Sequence, residues 1–201
     1  MAKPRIIGVT GGIGGGKSTF SNILRSKGYF VYDSDSAAKS LQDNNLEVKR
    51  KITELFGSDI YTNLGLDRKR LADKVFASTN LLAELNKIVH PAVFDDLKKW
   101  IDEHINEEFL FVESALLFSS DLNKYTDLDI VVTAAEDVRI QRIMNRDKLT
   151  LEQAKARISS QLPEDENVAK ADFVVYSDGK IELAEEKVEN VLAELKIKTL
   201  N

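Results

Sequence analysis

The sequence contains no cysteine, and it has only three prolines and two histidines. The lack of cysteine excludes disulfides, cysteine-ligated zinc and thiol catalysis. No run approaches 18 consecutive apolar residues, so we expect no membrane span, and the apolar run near the N-terminus is too short for a signal-peptide core. The formal net charge of -5 argues against a surface that binds nucleic acid or an anionic membrane. At 201 residues and 43% hydrophobic, the chain is expected to be a globular cytoplasmic protein, with no obligatory protein partner evident.

Short apolar runs alternate with helical patterns along most of the chain. This alternation predicts an α/β fold of three layers, with a five-stranded parallel sheet covered by helices on both faces. We expect the proline at position 91 to kink or split a helix over 80–103. We also expect a short helix at 116–124 and irregular structure at 57–67. The five predicted strands are 5–10, 29–33, 109–113, 129–133 and 173–176.

The predicted elements divide one domain into three parts. A helical block between the second and third strands is too long for a simple crossover, so we interpret it as an inserted subdomain at about 58–105. Residues of about 139–169 are expected to form a helical lid. The core then comprises about 1–57, 106–138 and 170–201.

A glycine-rich segment from Gly11 to Ser18 fits the pattern G-x-x-x-x-G-K-[ST] without a mismatch. Glycines let backbone N–H groups approach phosphate oxygens, and a following helix directs its positive end at them. In this pattern Lys17 reaches the β- and γ-phosphates, and the Ser18 hydroxyl binds Mg²⁺. A strand before the segment and a helix after it are the context that separates this motif from a flexible glycine turn. The segment therefore predicts a protein that binds ATP and Mg²⁺.

The rest of the chain favours a small-molecule kinase among P-loop proteins. A GTPase would carry D-x-x-G and N-K-x-D, and neither pattern is present. Asp33 and Asp35 follow the second predicted strand, at the sheet edge where ligands collect, and a carboxylate there can face the γ-phosphate. The alternative is that these aspartates only cap a helix.

Two groups of basic residues are candidates for binding phosphate. Arg139, Arg142 and Arg146 lie on one helical stripe, with Arg157 on the next helix, and could close over the phosphates as a lid. The alternative is a solvated stripe paired with nearby acids. A second cluster at 68–70 could hold an anionic substrate, although such clusters are more often solvated helix faces.

These motifs, in this order, resemble the dephospho-coenzyme A kinase family through nearly the whole chain. The family's phosphate loop resembles Thr10–Thr19, and its D-x-D resembles Asp33-Ser34-Asp35. Its histidine–proline pair resembles His90-Pro91. Further matching segments are Asp67-Arg68, Leu116-Leu117-Phe118, Arg139 to Asp147, Gln161 and Ala171-Asp172-Phe173.

The resemblance implies phosphorylation of the ribose 3′-hydroxyl of dephospho-CoA by ATP, the last step of coenzyme A synthesis. It implies a nucleotide-binding core, a helical domain for the CoA moiety and a lid. It also implies Asp35 as catalytic base, with Lys17 and Arg146 stabilising the transferred phosphoryl group. The implied nucleotide-binding residues are Gly14, Gly15, Gly16, Lys17, Ser18 and Thr19, with Ser18 as metal ligand. The implied substrate-side residues are Thr10, Asp33, Arg68 and His90.

The chain departs from the family pattern at four positions, which affect substrate and adenine contacts. Ala115 stands where the family usually has proline, Ser119 where it has glutamate and Lys39 where an arginine is common. Ser177 lies near the position of a usual asparagine. Two rival functions remain open. One is another P-loop kinase acting on a nucleoside, a nucleotide or shikimate. The other is a regulator that binds ATP without an acceptor.

Overall fold

The structure, a computed structural model, describes residues 3–161, 163–179 and 181–198. The chain divides into two compact units, which we describe separately. The first combines Met1–Tyr32 with Ile105–Asn201, and the second is Asp33–His104. The second unit contains nearly all of the predicted insert and, ahead of it, two further helices. Among the described residues, no helix has both the length and the apolar character that a membrane crossing requires.

The first unit is built on the predicted five-stranded sheet. Its strand order is β2-β5-β1-β6-β7, and the pairs β1–β5, β1–β6 and β6–β7 are parallel. These strands are β1 (Arg5–Thr10), β2 (Phe30–Asp33), β5 (Phe109–Glu113), β6 (Leu128–Thr133) and β7 (Phe173–Tyr176). The helices of this part are α1 (Lys17–Ser26), α6 (Glu136–Asp147), α7 (Leu151–Ser159), α8 (Glu164–Lys170) and α9 (Ile181–Lys198). The five-stranded α/β prediction is therefore confirmed.

The sheet is buried on both faces, as parallel sheets require. Alternate residues of four strands, such as Ile7 and Phe111, form one core with Leu24 of α1 and Leu195 of α9. Their neighbours Ile6 and Leu110, which point the other way, are also buried. This two-sided burial explains why the strands are continuous apolar runs and do not alternate with polar residues.

The second unit is helical apart from one small hairpin. Its helices are α2 (Ser34–Asn44), α3 (Leu46–Phe56), α4 (Arg68–Phe76) and α5 (Thr79–Glu103). The hairpin pairs β3 (Tyr61–Thr62) with β4 (Gly65–Leu66) and is preceded by a 3₁₀ turn at Ser58–Ile60. The expectation of irregular structure at 57–67 is therefore corrected.

Two helix predictions need correction, the one at Pro91 only as to a split of the helix. Pro91 does not split α5, which runs unbroken because Val89 and Val93 on either side are buried and hold the helix in place. The segment 116–124 is not an α-helix but a series of turns, with a 3₁₀ helix at Leu122–Tyr125. Asp121, within this segment, has φ of 63°, a left-handed backbone conformation that a continuous right-handed α-helix cannot contain. The helix α8 overlaps the predicted helical lid, but no separate helix was predicted there.

Candidate active site

The glycine-rich loop lies between β1 and α1, at the carboxyl end of the central strand. β1 pairs with β5 on one side and β6 on the other. Ligands of open parallel sheets bind at such a point, beyond the carboxyl ends of the strands. Gly14 and Gly16 have φ of 79° and 99°, in the left-handed region that favours glycine. The motif therefore has the strand–loop–helix setting that phosphate binding requires.

The loop carbonyls are held by side chains from distant parts of the first unit. Arg142 Nη1 donates to the Gly14 carbonyl at 3.0 Å, and Ser177 Oγ donates to the Gly15 carbonyl at 2.5 Å. Arg142 also donates to Ser177 Oγ at 2.8 Å, so the two side chains form one network. Because a trans peptide is planar, fixing the Gly15 carbonyl directs the N–H of Gly16 the opposite way. The Gly16 N–H therefore points away from Ser177, whereas the Gly15 N–H donates to the Gly12 carbonyl at 2.9 Å within the loop.

Lys17 begins α1 and pairs with a carboxylate at the end of β5. Its Nζ lies 3.1 Å from Glu113 Oε1, and the two side chains are only 14% and 6% exposed. Arg25 approaches the other oxygen of Glu113 at 3.6 Å. A buried carboxylate needs such partners because the interior solvates charge poorly. Phosphate groups reaching Lys17 would share it with Glu113.

The remaining loop residues fall where the motif predicts. Thr10 is the last residue of β1 and is 2% exposed. Ser18 and Thr19 lie in the first turn of α1 and are exposed. The described residues contain no group of three or more histidine, aspartate or glutamate side chains that could hold a metal.

The two candidate aspartates have different local roles. Asp33 caps α2: its Oδ1 accepts from the N–H groups of Asp35 and Ser36, at 3.1 and 3.0 Å. Its Oδ2 accepts from Ser36 Oγ at 2.7 Å. Asp35 lies in the first turn of α2 and is half-buried. Asp33 therefore caps α2, and Asp35 lies inside the helix that it caps.

The two substrate-side candidates lie on different helices of the second unit. Arg68 opens α4 and donates to Gln42 Oε1 at 2.7 Å and to Asp43 Oδ2 at 2.5 Å. His90 lies within α5, half-buried, with its ring centroid 6.2 Å from that of Phe94. The contacts of Arg68 fix its guanidinium against α2.

The arginines of the predicted stripe make two kinds of contact. Arg142 and the buried Arg139 reach the phosphate loop, and Arg139 Nε donates to the Ile13 carbonyl at 3.0 Å. Arg146 is exposed and forms two hydrogen bonds to Asp147, at 2.7 and 2.9 Å. This hydrogen bonding raises the pKa of Arg146 and lowers that of Asp147. Arg157 contacts the same carboxylate at 2.5 Å.

Sequence reasoning did not assign Glu113 or Ser177 to the site. Glu113 is the last residue of an apolar strand, at the carboxyl edge of the sheet where ligands bind. A charged residue that ends such a strand is a sequence signal that could have identified Glu113 as a site residue. Ser177 follows β7 and was noted only as a departure from a family pattern. Its contact with Gly15 depends on the pairing of β7 with β6, which has no local sequence signature.

Comparison with known proteins supports the resemblance found in the motifs. The family model described as dephospho-CoA kinase matches residues 5–182. A dephospho-CoA kinase of Porphyromonas gingivalis is 46% identical over 165 residues, covering 82% of this chain and 81% of that protein. A solved structure of TT1252 from Thermus thermophilus has a TM-score of 0.85 at 34% identity, covering 96% and 99% of the two chains. A solved dephospho-CoA kinase from Campylobacter jejuni has a TM-score of 0.71 at 30% identity, covering 96% and 98%. The chain belongs to the dephospho-CoA kinase family.

Proposed function

We propose that this protein transfers the γ-phosphate of ATP to the ribose 3′-hydroxyl of 3′-dephospho-CoA, giving CoA and ADP. The observation that carries the proposal is the family match over residues 5–182, which encloses an intact phosphate loop at the carboxyl end of the central strand. The loop accounts for ATP as the donor, and the family accounts for the acceptor.

Lys17 and the loop amides hold the nucleotide phosphates in this proposal. Phosphoryl transfer depends mainly on positioning and on stabilising charge that spreads over the transferred group. The Lys17 ammonium is already oriented by Glu113 at 3.1 Å, so it needs little reorganisation to meet phosphate oxygens. Gly14, Gly15 and Gly16 belong to the loop, and Thr19 lies in the first turn of α1 that follows it. Ser18 would hold Mg²⁺, which supplies positive charge to the β- and γ-phosphates.

Asp35 is the proposed base for the 3′-hydroxyl. A carboxylate within hydrogen-bond reach of the hydroxyl accepts its proton as the bond to phosphorus forms. Asp33 is committed to the N-cap of α2 through three hydrogen bonds, so its proposed role is to hold the first turn in which Asp35 lies. The capping geometry supports Asp35 over Asp33.

The other predicted site residues keep proposed roles. Arg146 contributes positive charge to the transferred phosphoryl group, in exchange for its exposed contact with Asp147. Thr10, Arg68 and His90 belong to the substrate side. The division into core, insert and lid, a cytoplasmic location and the lack of an obligatory protein partner stay predictions.

The test is ADP release by the purified protein with ATP and Mg²⁺, with and without dephospho-CoA. Adenosine, a nucleoside monophosphate and shikimate serve as alternative acceptors, and a sample with EDTA tests the metal. ADP release that requires dephospho-CoA and matches CoA formation supports the proposal. A response only to another acceptor would replace the substrate, and ATP binding without any turnover would indicate a regulator.

A further inference from the structure

The phosphate loop is attached to the segment after β6 through one residue, Ile13. Its N–H donates to Gln161 Oε1 at 2.8 Å, and its carbonyl accepts from Arg139 Nε at 3.0 Å. Its side chain packs against a small apolar cluster that joins α6 to α7. Gln161 and Arg139 are 148 and 126 residues away from Ile13 in the chain. Both backbone groups and the side chain of this loop residue are therefore fixed by the segment predicted to be the lid.

Arg139 is held in place by a buried ion pair. Its Nη1 lies 2.9 Å from Glu164 Oε2, and the two side chains are 6% and 19% exposed. A planar guanidinium that binds the loop through Nε and a carboxylate through Nη1 has one orientation only. A Cβ built on Gly12 would lie 2.3 Å from Arg139 Nη2 and 2.4 Å from Glu164 Oε2. The Arg139–Glu164 ion pair therefore packs directly against the loop, and no side chain larger than the hydrogen of glycine fits at position 12.

We propose that Arg139 and Gln161 are positioning residues for nucleotide phosphate binding. They act through the Ile13–Gly14 peptide. Because that peptide is planar, holding its carbonyl toward Arg139 turns the Gly14 N–H the opposite way, into the loop. Gln161 fixes the preceding peptide from its N–H side, so the start of the loop cannot rotate. The proposal deepens the proposed function and rests on its assignment of ATP to this loop.

This role differs from the one that the arginine stripe suggested. A lid arginine would place its guanidinium over the transferred phosphate. The guanidinium of Arg139 instead binds the backbone of the loop and a carboxylate, both within the first unit. The conformation of the loop is then coupled to the positions of α6 and α8. A shift of Glu164 would therefore also move the backbone N–H groups of the loop that bind phosphate.

The test measures the dissociation constant of ATP by calorimetry for two variants that remove the Ile13 contacts. Arg139→Met removes the donor to the carbonyl, and Gln161→Met removes the acceptor of the N–H while keeping a similar length. Each should raise the dissociation constant of ATP about tenfold, the loss expected when one hydrogen bond to a charged phosphate is misaligned. The KM for dephospho-CoA should stay unchanged. Glu164→Gln retains an oxygen for Arg139 and should have a smaller effect.

Glu189→Gln is the matched control, because it also removes the carboxylate of an ion pair in the first unit, with Lys27 at 2.6 Å, without touching the loop. Its ATP affinity should match that of the parent. An unchanged ATP affinity in both methionine variants, with only a lower melting temperature, would show a purely structural role and overturn the inference. If Arg139→Met does not fold, Gln161→Met and Arg139→Lys decide the question. If the parent binds ATP but leaves dephospho-CoA unphosphorylated, the proposed function fails and the affinity comparison still tests the inference.

Discussion

Two glycines at opposite ends of α1 provide a matched test of how tightly the phosphate loop must fit. Gly14 has φ of 79° and Gly28 has φ of 88°, so alanine is strained in the backbone at both positions. Their surroundings differ. A Cβ on Gly14 would lie 2.8 Å from the Arg139 carbonyl oxygen and 3.0 Å from its Cα, whereas a Cβ on Gly28 would meet nothing within 4 Å. Gly14→Ala therefore adds a backbone collision that Gly28→Ala lacks.

The expected losses of stability and of ATP affinity follow from the backbone strain at both positions and from the collision at Gly14. A non-glycine residue in the left-handed region costs about 1–2 kcal/mol, which both variants should show as a melting temperature lower by about 2–8 °C. At Gly14 the loop must also move by about 0.5–1 Å to restore an ordinary contact with the backbone of α6. That movement displaces an amide aimed at phosphate, and a hydrogen bond to a charged group contributes about 1.5–3 kcal/mol. The dissociation constant of ATP should rise about 10- to 100-fold for Gly14→Ala alone.

The assay pairs thermal unfolding with ATP calorimetry on the parent and both variants. The reasoning predicts similar losses of stability and very different losses of affinity. It would be refuted if Gly14→Ala bound ATP within twofold of the parent, because the collision with α6 would then be absorbed without cost to the loop. It would also be refuted if Gly28→Ala lost affinity equally, because strain at either end of α1 would then be sufficient.

Four further substitutions test the chemistry and the electrostatics. Lys17→Met keeps the length of the side chain but removes the ammonium, so ADP release in the presence of dephospho-CoA should fall at least about 100-fold. Asp35→Asn should lower kcat by about 10²- to 10⁴-fold with little change in ATP affinity, as expected on loss of a general base. Asp33→Asn retains a good N-cap and should be milder, so a larger loss of kcat at that position would reverse the assignment. Burial raises the pKa of Asp129, so the folded protein holds that proton more tightly than the unfolded chain does, and stability falls as pH rises from the ordinary carboxyl pKa through the raised one. Asp129→Asn should therefore unfold at a higher denaturant concentration than the parent at pH 7, and the difference should vanish in acid.

The sheet and the loop were predictable because their signals are local. A buried parallel strand is a continuous apolar run, and the phosphate loop combines glycines, a lysine and a serine within eight positions. The N-cap at Asp33 was an alternative to a role in catalysis, because a carboxylate ahead of a helical pattern is suited to either. These features depend on residues within one turn or strand of each other.

The failures concern features that depend on distant residues. The continuity of α5 through Pro91 is set by the packing of Val89 and Val93, which compensates for one missing backbone hydrogen bond. The turns at 116–124 include the left-handed backbone of Asp121, with φ of 63°, a conformation that the helical pattern of the sequence does not reveal. The partnership of Lys17 with Glu113 depends on β5 lying beside β1, which the order of strands along the chain does not determine.

The arginines of α6 show how these two kinds of information combine. Spacings of three and four put Arg139, Arg142 and Arg146 on one stripe, but the stripe does not say what each guanidinium meets. The guanidinium groups of Arg139 and Arg142 both donate to carbonyls of the loop. Arg139 also donates to Glu164, and Arg142 also donates to Ser177. A guanidinium engaged in this way cannot also cover a transferred phosphate without releasing the loop that holds the nucleotide. Arg146 is 61% exposed and pairs with the neighbouring Asp147, and an exposed ion pair of this kind contributes little net stability. Of the three, Arg146 can exchange its partner at the lowest cost, which is the physical reason to keep it as the arginine that meets the transferred phosphoryl group.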